Sequence, residues 1–143
     1  MLTTPPVPRA YAPPLSPDLV VLHADDDLLV LDKPSGLLTV PGKSADLADC
    51  LIARAEARFP GARIVHRLDM DTSGVIVLAR NPHAHRHLGL QFERRHVSKH
   101  YEARVWGRVA SDCGTINLPL ACDWPNRPRQ HIDPAGGRHA RTD

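Results

Sequence analysis

The sequence predicts an α+β domain with a mainly antiparallel sheet flanked by helices. Short runs of branched apolar residues alternate with turn signals, and two segments space their apolar residues as helices do. No regular strand–helix–strand rhythm connects these segments, which argues against a parallel sheet. The chain has 143 residues, of which 42% are apolar. It is therefore long enough to bury a sizeable core.

The chain opens with a proline-rich segment. This composition predicts an extended arm over residues 1–17, followed by a structured part over residues 18–143. The arm lacks the apolar middle of a secretory signal, and the chain has no apolar run of about 18 residues that could span a membrane. The three cysteines form no CxxC pair and are typical of reduced thiols. We therefore expect a cytoplasmic protein without a membrane span.

The first half of the structured part contains two strand patterns and one helix pattern. Residues 19–23 and 28–32 predict strands joined by a turn of three aspartates. Residues 37–40 predict further extended structure. Ser44 is the candidate N-cap of a helix over residues 47–59, which a proline–glycine pair would end.

The second half begins with a strand over residues 74–79. Asn81 followed by a proline predicts the start of a helix that runs to about Arg94. Alternation of apolar and charged residues indicates a half-exposed strand over residues 98–109, and residues 114–118 could pair with it. Regular structure is expected to fade after that.

Positive charge is concentrated in one region. The net charge is only +2, but residues 80–108 hold seven Lys and Arg residues, two Glu residues and five of the nine histidines. Such a region can be an electrostatic footprint for a polyanion. On charge alone, the favoured interpretation is a solvated helix face with a neighbouring loop.

The segment from His66 to Arg80 carries the clearest chemical signal. Its letters are HRLDMDTSGVIVLAR, so an arginine and two carboxylates run directly into an apolar strand. Loops held by a buried strand are common positions for catalytic groups. From the residues alone, Asp69 could be a nucleophile, a general base, a surface ion-pair partner or a turn cap.

Four motifs in this order resemble the RluA family of RNA pseudouridine synthases. The HRLD-x-x-TSG string with its apolar strand is similar to the family's active-site motif. The other three are DKPSGLL at residues 32–38, KHYEA at residues 99–103 and LPLACDWPNRP at residues 118–128. The last is similar to the branch that modifies both ribosomal and transfer RNA.

The resemblance implies a pseudouridine synthase catalytic fold and a cofactor-free isomerisation of uridine to pseudouridine within RNA. The substrate would be large-subunit ribosomal RNA, transfer RNA or both. The target base would have to leave the RNA stack to reach the enzyme. Asp69 would be the catalytic carboxylate, acting on the sugar or on the base.

The resemblance also assigns substrate-binding residues. Arg67 would hold the flipped-out conformation, although a structural ion pair with Asp69 or Asp71 is the alternative. Tyr101 would stack on the displaced uracil, or else pack on the core. Lys33 would approach the RNA backbone, or be an exposed turn lysine. Arg127 would contact a phosphate.

The histidines of the second helix permit another interpretation. His83 and His87 are four residues apart, a spacing that can bind zinc. No glutamate lies between them in the metalloprotease pattern, and no third ligand is evident nearby. The sequence therefore predicts no metal site, and a metal-dependent hydrolase is a distant alternative.

The family's catalytic domains continue past the position that matches residue 142. They add strands to the sheet and a segment that pairs with the aspartate. We therefore expect this fold to be incomplete at its C-terminus and to be completed, if at all, by a missing C-terminal polypeptide. The alternative function is an inactive, truncated remnant that at most binds RNA through residues 80–108.

Overall fold

The structure is a computed structural model that describes residues 10–126 and 129–143. The chain divides into two compact units, the first ending at Lys99 and the second spanning His100–Asp143. The first unit contains β1 (Val20–Ala24), β2 (Leu28–Lys33), α1 (Leu51–Arg58), β3 (Arg63–Ile64), β4 (Gly74–Ala79) and α2 (Pro82–Glu93). The second contains β5 (Ile116–Asn117), β6 (Leu120–Cys122), β7 (Gln130–Ile132) and β8 (Arg141–Thr142).

The first unit is built on a four-stranded sheet with the order β1-β2-β4-β3, in which every neighbouring pair is antiparallel. The central pair is β2 and β4. Its register runs from Leu28 opposite Ala79 to Lys33 opposite Gly74. The prediction of an α+β fold with a mainly antiparallel sheet is confirmed.

The core lies on one face of this sheet. Leu29 and Leu31 of β2 are fully buried, as are Ile76 and Leu78 of β4. Each pair is two residues apart because successive side chains of a strand point to opposite faces. Helix α1 covers this face with Leu51, which is also fully buried.

The turn between β1 and β2 is stabilised by one aspartate. The Asp25 carboxylate accepts hydrogen bonds from the Asp27 and Leu28 amides at 2.9 and 2.7 Å. Its other oxygen lies 2.7 Å from His23 Nε2. The bond to His23 and the two amide bonds lower the pKa of Asp25 to about 2. The predicted strands and their aspartate turn are therefore confirmed.

The first helix is shorter than the sequence predicted. Residues 45–47 form a separate 3₁₀ turn, and Ser44 makes no capping hydrogen bond through its side chain. Helix α1 begins only at Leu51, whose amide donates to the Leu38 carbonyl at 2.8 Å. The next amide, that of Ile52, donates to Thr39. These two carbonyls take the place of a side-chain cap. Residues 37–40, which contain them, form no strand.

The second helix follows the prediction. Asn81 caps α2 by accepting a hydrogen bond from the Ala84 amide at 2.8 Å, and Pro82 occupies the first turn. The asparagine amide group also donates to the Asp27 side chain at 2.6 Å. Asn81 therefore starts the helix and ties it to the β1–β2 turn.

The segment before β1 is attached to the first unit. Arg54 of α1 is buried and forms two hydrogen bonds with the Asp49 carboxylate, at 2.8 and 2.6 Å. It also donates to the Pro14 carbonyl at 2.9 Å. Tyr11 Oη donates to the Asp49 carbonyl at 2.7 Å and accepts from the Leu38 amide at 3.0 Å. Residues 11–14 of the predicted arm thus contact the domain directly.

The second unit differs from the sequence prediction. Residues 100–109 contain no strand, so the predicted strand over 98–109 is wrong. Strand β5 pairs instead with β8, and β6 pairs with β7. The expectation that regular structure fades after residue 118 is also wrong. Every described residue of this unit is partly or fully exposed.

None of the helices in the described part of the chain is long and apolar enough to cross a membrane.

Candidate active site

Two loops leave the central strand pair at the same end of the sheet. Lys33, the last residue of β2, is opposite Gly74, the first residue of β4. The turn that follows β2 therefore lies beside the loop that precedes β4. We call residues 66–73 the Asp69 loop.

Lys33 connects these two segments. Its side chain is fully buried, and Nζ donates hydrogen bonds to three carbonyl oxygens: Leu37 at 2.6 Å, Pro34 at 3.0 Å and Met70 at 3.0 Å. An ammonium group has three N–H donors, so all of them have partners within the protein. Lys33 therefore binds the Asp69 loop from the buried side and does not extend into solvent.

Other hydrogen bonds engage the carbonyls on both sides of Met70. The Thr39 hydroxyl donates to the Leu68 carbonyl at 2.6 Å, and the Ser35 hydroxyl donates to the Asp71 carbonyl at 2.8 Å. The Gly36 amide, at a φ of 86°, donates to the Met70 carbonyl at 2.8 Å, and the Thr72 amide donates to the Asp69 carbonyl at 3.1 Å. All four carbonyls from residue 68 to residue 71 are therefore bound. The backbone on both sides of Asp69 is fixed.

The buried ammonium group also shapes the local electrostatics. Burial lowers the pKa of Lys33, while the negative charges of Asp71 and Asp69 act in the opposite direction. The lysine thus places a cation behind the two carboxylates.

The Asp69 side chain itself is exposed. Within residues 10–126 and 129–143, no side chain donates a hydrogen bond to its carboxylate. Arg67 is exposed as well, and in the described part of the chain it makes no ion pair with Asp69 or Asp71. The fixed backbone therefore presents a carboxylate and a guanidinium group to solvent, two residues apart.

His66 anchors the start of the loop. Its Nε2 accepts a hydrogen bond from the Val77 amide of β4 at 3.0 Å. The imidazole therefore carries its proton on Nδ1 when it is neutral. Its ring stacks on Phe92 of α2, with centroids 4.3 Å apart and planes 17° apart. Burial, and secondly the positive charge of Lys99, lower the pKa of His66.

The other predicted site residues are distributed unevenly. Tyr101 belongs to the second unit and is 65% exposed. Its side chain is therefore not packed in a core, which was the alternative to a substrate contact. Arg127 lies outside the described residues. Of the predicted set, the structure brings together Lys33, Arg67 and Asp69.

Sequence reasoning missed the structural roles of Lys33 and Thr39. The signal for Lys33 was present, because it continues the two-residue period of Leu29 and Leu31 toward the buried face. Thr39 had no such signal, since its partner Leu68 is 29 residues away.

The histidines on α2 were the candidate metal ligands. His83 and His87 are exposed, and His85 Nε2 lies 3.0 Å from the Ile64 carbonyl. Among the described residues, no group of three or more His, Cys, Asp or Glu side chains is arranged to hold a metal ion.

Comparisons with known proteins agree on one family. The family model for RNA pseudouridylate synthase matches residues 27–143. The dual-specificity RNA pseudouridine synthase RluA of Escherichia coli K12 is 48% identical over 133 residues, which cover 93% of this chain and 61% of that protein. Its counterpart from Haemophilus influenzae is 47% identical over 132 residues, covering 92% and 60%. The chain thus spans about three fifths of the length of these relatives.

Solved structures give the same fold. The human RNA pseudouridylate synthase domain containing 1 matches with a TM-score of 0.64 and 27% identity, covering 87% of this chain and 48% of that one. The human RNA pseudouridylate synthase domain containing 4 matches with a TM-score of 0.57 and 22% identity, covering 86% and 47%. At that identity the second match bears on the fold alone.

Proposed function

Because the chain belongs to the RNA pseudouridylate synthase family, we propose that it isomerises uridine to pseudouridine in RNA with Asp69 as the catalytic carboxylate. One observation supports this proposal above the others. The Asp69 carboxylate is exposed, while the backbone carbonyls of residues 68–71 are all hydrogen-bonded. The backbone that carries the carboxylate therefore loses little further freedom when substrate arrives.

The proposed reaction uses only groups of the protein and the RNA. The bond between N1 and C1′ breaks, the uracil turns over, and C5 bonds to C1′. The hydrogen on C5 leaves, and N1 ends with a proton. A carboxylate suits this chemistry because it can attack an electrophilic carbon or carry a proton between two positions.

The neighbouring residues have proposed roles in binding the flipped nucleotide. Arg67 would contact a phosphate or fill the vacated place in the stack, as a planar guanidinium group can do both. Tyr101 would stack on the uracil. Arg127 would contact a phosphate. Lys33, which the sequence led us to expect near the RNA backbone, would instead position the Asp69 loop, because its three donors are engaged by carbonyls.

The proposed substrates follow from the relatives. The E. coli relative is described as a dual-specificity RNA pseudouridine synthase, and it is 48% identical to this chain. We expect large-subunit ribosomal RNA and transfer RNA to be the substrates here too. We therefore expect the protein to act in the cytoplasm.

The experiment is tritium release from RNA transcribed with uridine labelled at C5, since the isomerisation frees that hydrogen. Two proteins are compared: the 143-residue chain and a chimera that adds the part of the E. coli relative that the chain does not cover. We expect release by the chimera and none by its Asp69→Asn variant. Release by that variant would contradict the assignment of Asp69. Release by the 143-residue chain alone would show that these residues suffice.

A second candidate function is RNA binding without isomerisation. It is favoured by exposed cationic side chains on both units, among them Arg94 and Lys99 on the first and Arg104 and Arg108 on the second. It predicts an affinity for RNA that falls steeply with salt and no tritium release by any version of the protein.

A further inference from the structure

Helix α2 ends in a motif that normally requires glycine. After the helix, the Arg95 amide donates to the Phe92 carbonyl at 3.2 Å and the His96 amide donates to the Gln91 carbonyl at 2.9 Å. This pair of bonds defines the Schellman motif, whose central residue adopts the left-handed conformation. Arg95 fills that position with a φ of 57°.

An arginine is a costly choice for this position. The left-handed conformation brings Cβ close to the following carbonyl oxygen, so glycine is the usual residue there. In the described part of the chain, Arg95 is the one residue other than glycine with a positive φ. Its side chain is exposed and forms no ion pair with any described residue. The strain is therefore not offset by a contact within the protein, which points to a function.

This helix end lies at the base of the Asp69 loop. Phe92, three residues before Arg95, stacks on His66, and His66 lies three residues before Asp69. Lys99 is close enough for its charge to act on His66. Arg94 and Lys99 are exposed, like Arg95. A group of exposed cations, which form no ion pair within the described part of the chain, thus lies beside the segment that carries the candidate catalytic carboxylate.

We propose that Arg95, together with Arg94 and Lys99, forms a phosphate-binding surface for the RNA strand that flanks the nucleotide held at Asp69. This inference rests on the proposed function, because it takes RNA as the ligand. Guanidinium groups bind phosphate oxygens through paired N–H donors. Such contacts fix the register of the RNA without reading its sequence.

A structural role for Arg95 gives a different expectation. A cation at the C-terminal end of a helix interacts favourably with the helix dipole. If that interaction were the reason for the arginine, Arg95→Gly would lower the melting temperature. If the arginine serves RNA, the same change relieves backbone strain, and the melting temperature stays equal or rises.

The test measures RNA affinity and melting temperature on the full chain. The probe is a fluorescein-labelled RNA stem-loop with uridine in its loop, titrated by anisotropy at several salt concentrations. We expect Arg95→Gly and Arg95→Asn to weaken binding about tenfold in about 50 mM salt and to reduce the slope of log affinity against log salt by about 0.7 to 0.9. Both replacements tolerate the left-handed conformation. Arg95→Lys should retain most of the affinity.

Arg58→Gln is the matched control. It removes one exposed positive charge at the C-terminal end of α1. The opposite end of that helix is the one whose amides bind the carbonyls of residues 38 and 39. We expect its affinity and salt slope to equal those of the wild type. Equal affinity for Arg95→Gly and the wild type would overturn the inference, as would the absence of salt-dependent RNA binding. Failure of the proposed function is separate, because it would appear as lost tritium release while the effect of Arg95→Gly on binding remained.

Discussion

At the scale of single residues, Lys33 joins the turn after β2 to the Asp69 loop through three hydrogen bonds. Replacing it with methionine keeps the length of the side chain but leaves the Pro34 and Leu37 carbonyls without this donor. We expect Lys33→Met to lower the free energy of unfolding by about 2–3 kcal/mol, because hydrogen bonds from charged donors are strong and buried acceptors are costly to leave unpaired. Urea denaturation followed by circular dichroism measures this.

Ser35→Ala is the control for that change. It removes one exposed hydroxyl bond to the same loop, which we expect to cost about 0.5–1 kcal/mol. Equal losses for the two variants would contradict the role assigned to the buried ammonium group.

His66 makes the stability of the site region depend on pH. Burial and the charge of Lys99 lower its pKa in the folded protein, so just below the ordinary value of about 6.5 the unfolded chain binds a proton that the folded chain does not. Stability is therefore full above about pH 6.5 and declines as the pH falls toward the folded pKa. Protonation also removes the acceptor for the Val77 amide.

The measurement is the free energy of unfolding of the wild type and of His66→Gln between about pH 7.5 and about pH 5. Glutamine can accept from the Val77 amide but does not titrate. We expect the wild type to lose more stability than the variant as the pH falls. Parallel curves would show that His66 does not cause the decline.

At the scale of elements, α2 depends on its first residue. Asn81→Ala removes the cap on the Ala84 amide and the bond to Asp27. We expect a loss of about 1–2 kcal/mol in thermal or urea unfolding, typical for a lost N-cap. Asn81→Ser keeps a capping oxygen and should lose clearly less. Equal losses for the two would mean that the cap is not the source of the stability.

The elements of the central sheet and α2 were predictable because their signals are local. Short apolar runs predict β2 and β4, and the Asn–Pro pair predicts the start of α2. Residues 98–109 alternate apolar and charged side chains, yet they form no strand. Alternation gives a segment two faces but does not supply a neighbouring strand, and a strand without a partner has no hydrogen bonds to hold it.

The candidate site was predictable in part for the same reason. The motif around Asp69 is contiguous, so its position on a loop before β4 could be predicted from the sequence. The contacts that fix the loop could not, because they join it to residues 29 to 37 positions away. The left-handed conformation of Arg95 was not predictable either, because arginine has no preference for that conformation.

At the scale of the whole molecule, the two units differ in how they are stabilised. The first has a buried core, whereas every described residue of the second is at least partly exposed. Both tryptophans of the chain lie in the second unit, and Trp106 is fully exposed while Trp124 is 69% exposed. Tryptophan fluorescence therefore reports on the second unit alone.

We expect the emission maximum of the native protein to match that of free tryptophan amide in water, because both indoles are in contact with solvent. Urea should leave this maximum unchanged while the circular dichroism signal of α1 and α2 disappears. A blue-shifted maximum that moves to the red in urea would contradict the exposure of these side chains.

The bonds that order the Asp69 loop also determine when it can form during synthesis. Residues 33–39 leave the ribosome well before the loop that they hold, and β4 follows later still. Until β4 has emerged and paired with β2, Lys33 has no Met70 carbonyl at its side. We therefore expect an unfinished chain to carry Asp69 on a segment that these bonds do not yet order. The geometry that we propose for chemistry on RNA would then arise only after the sheet has assembled.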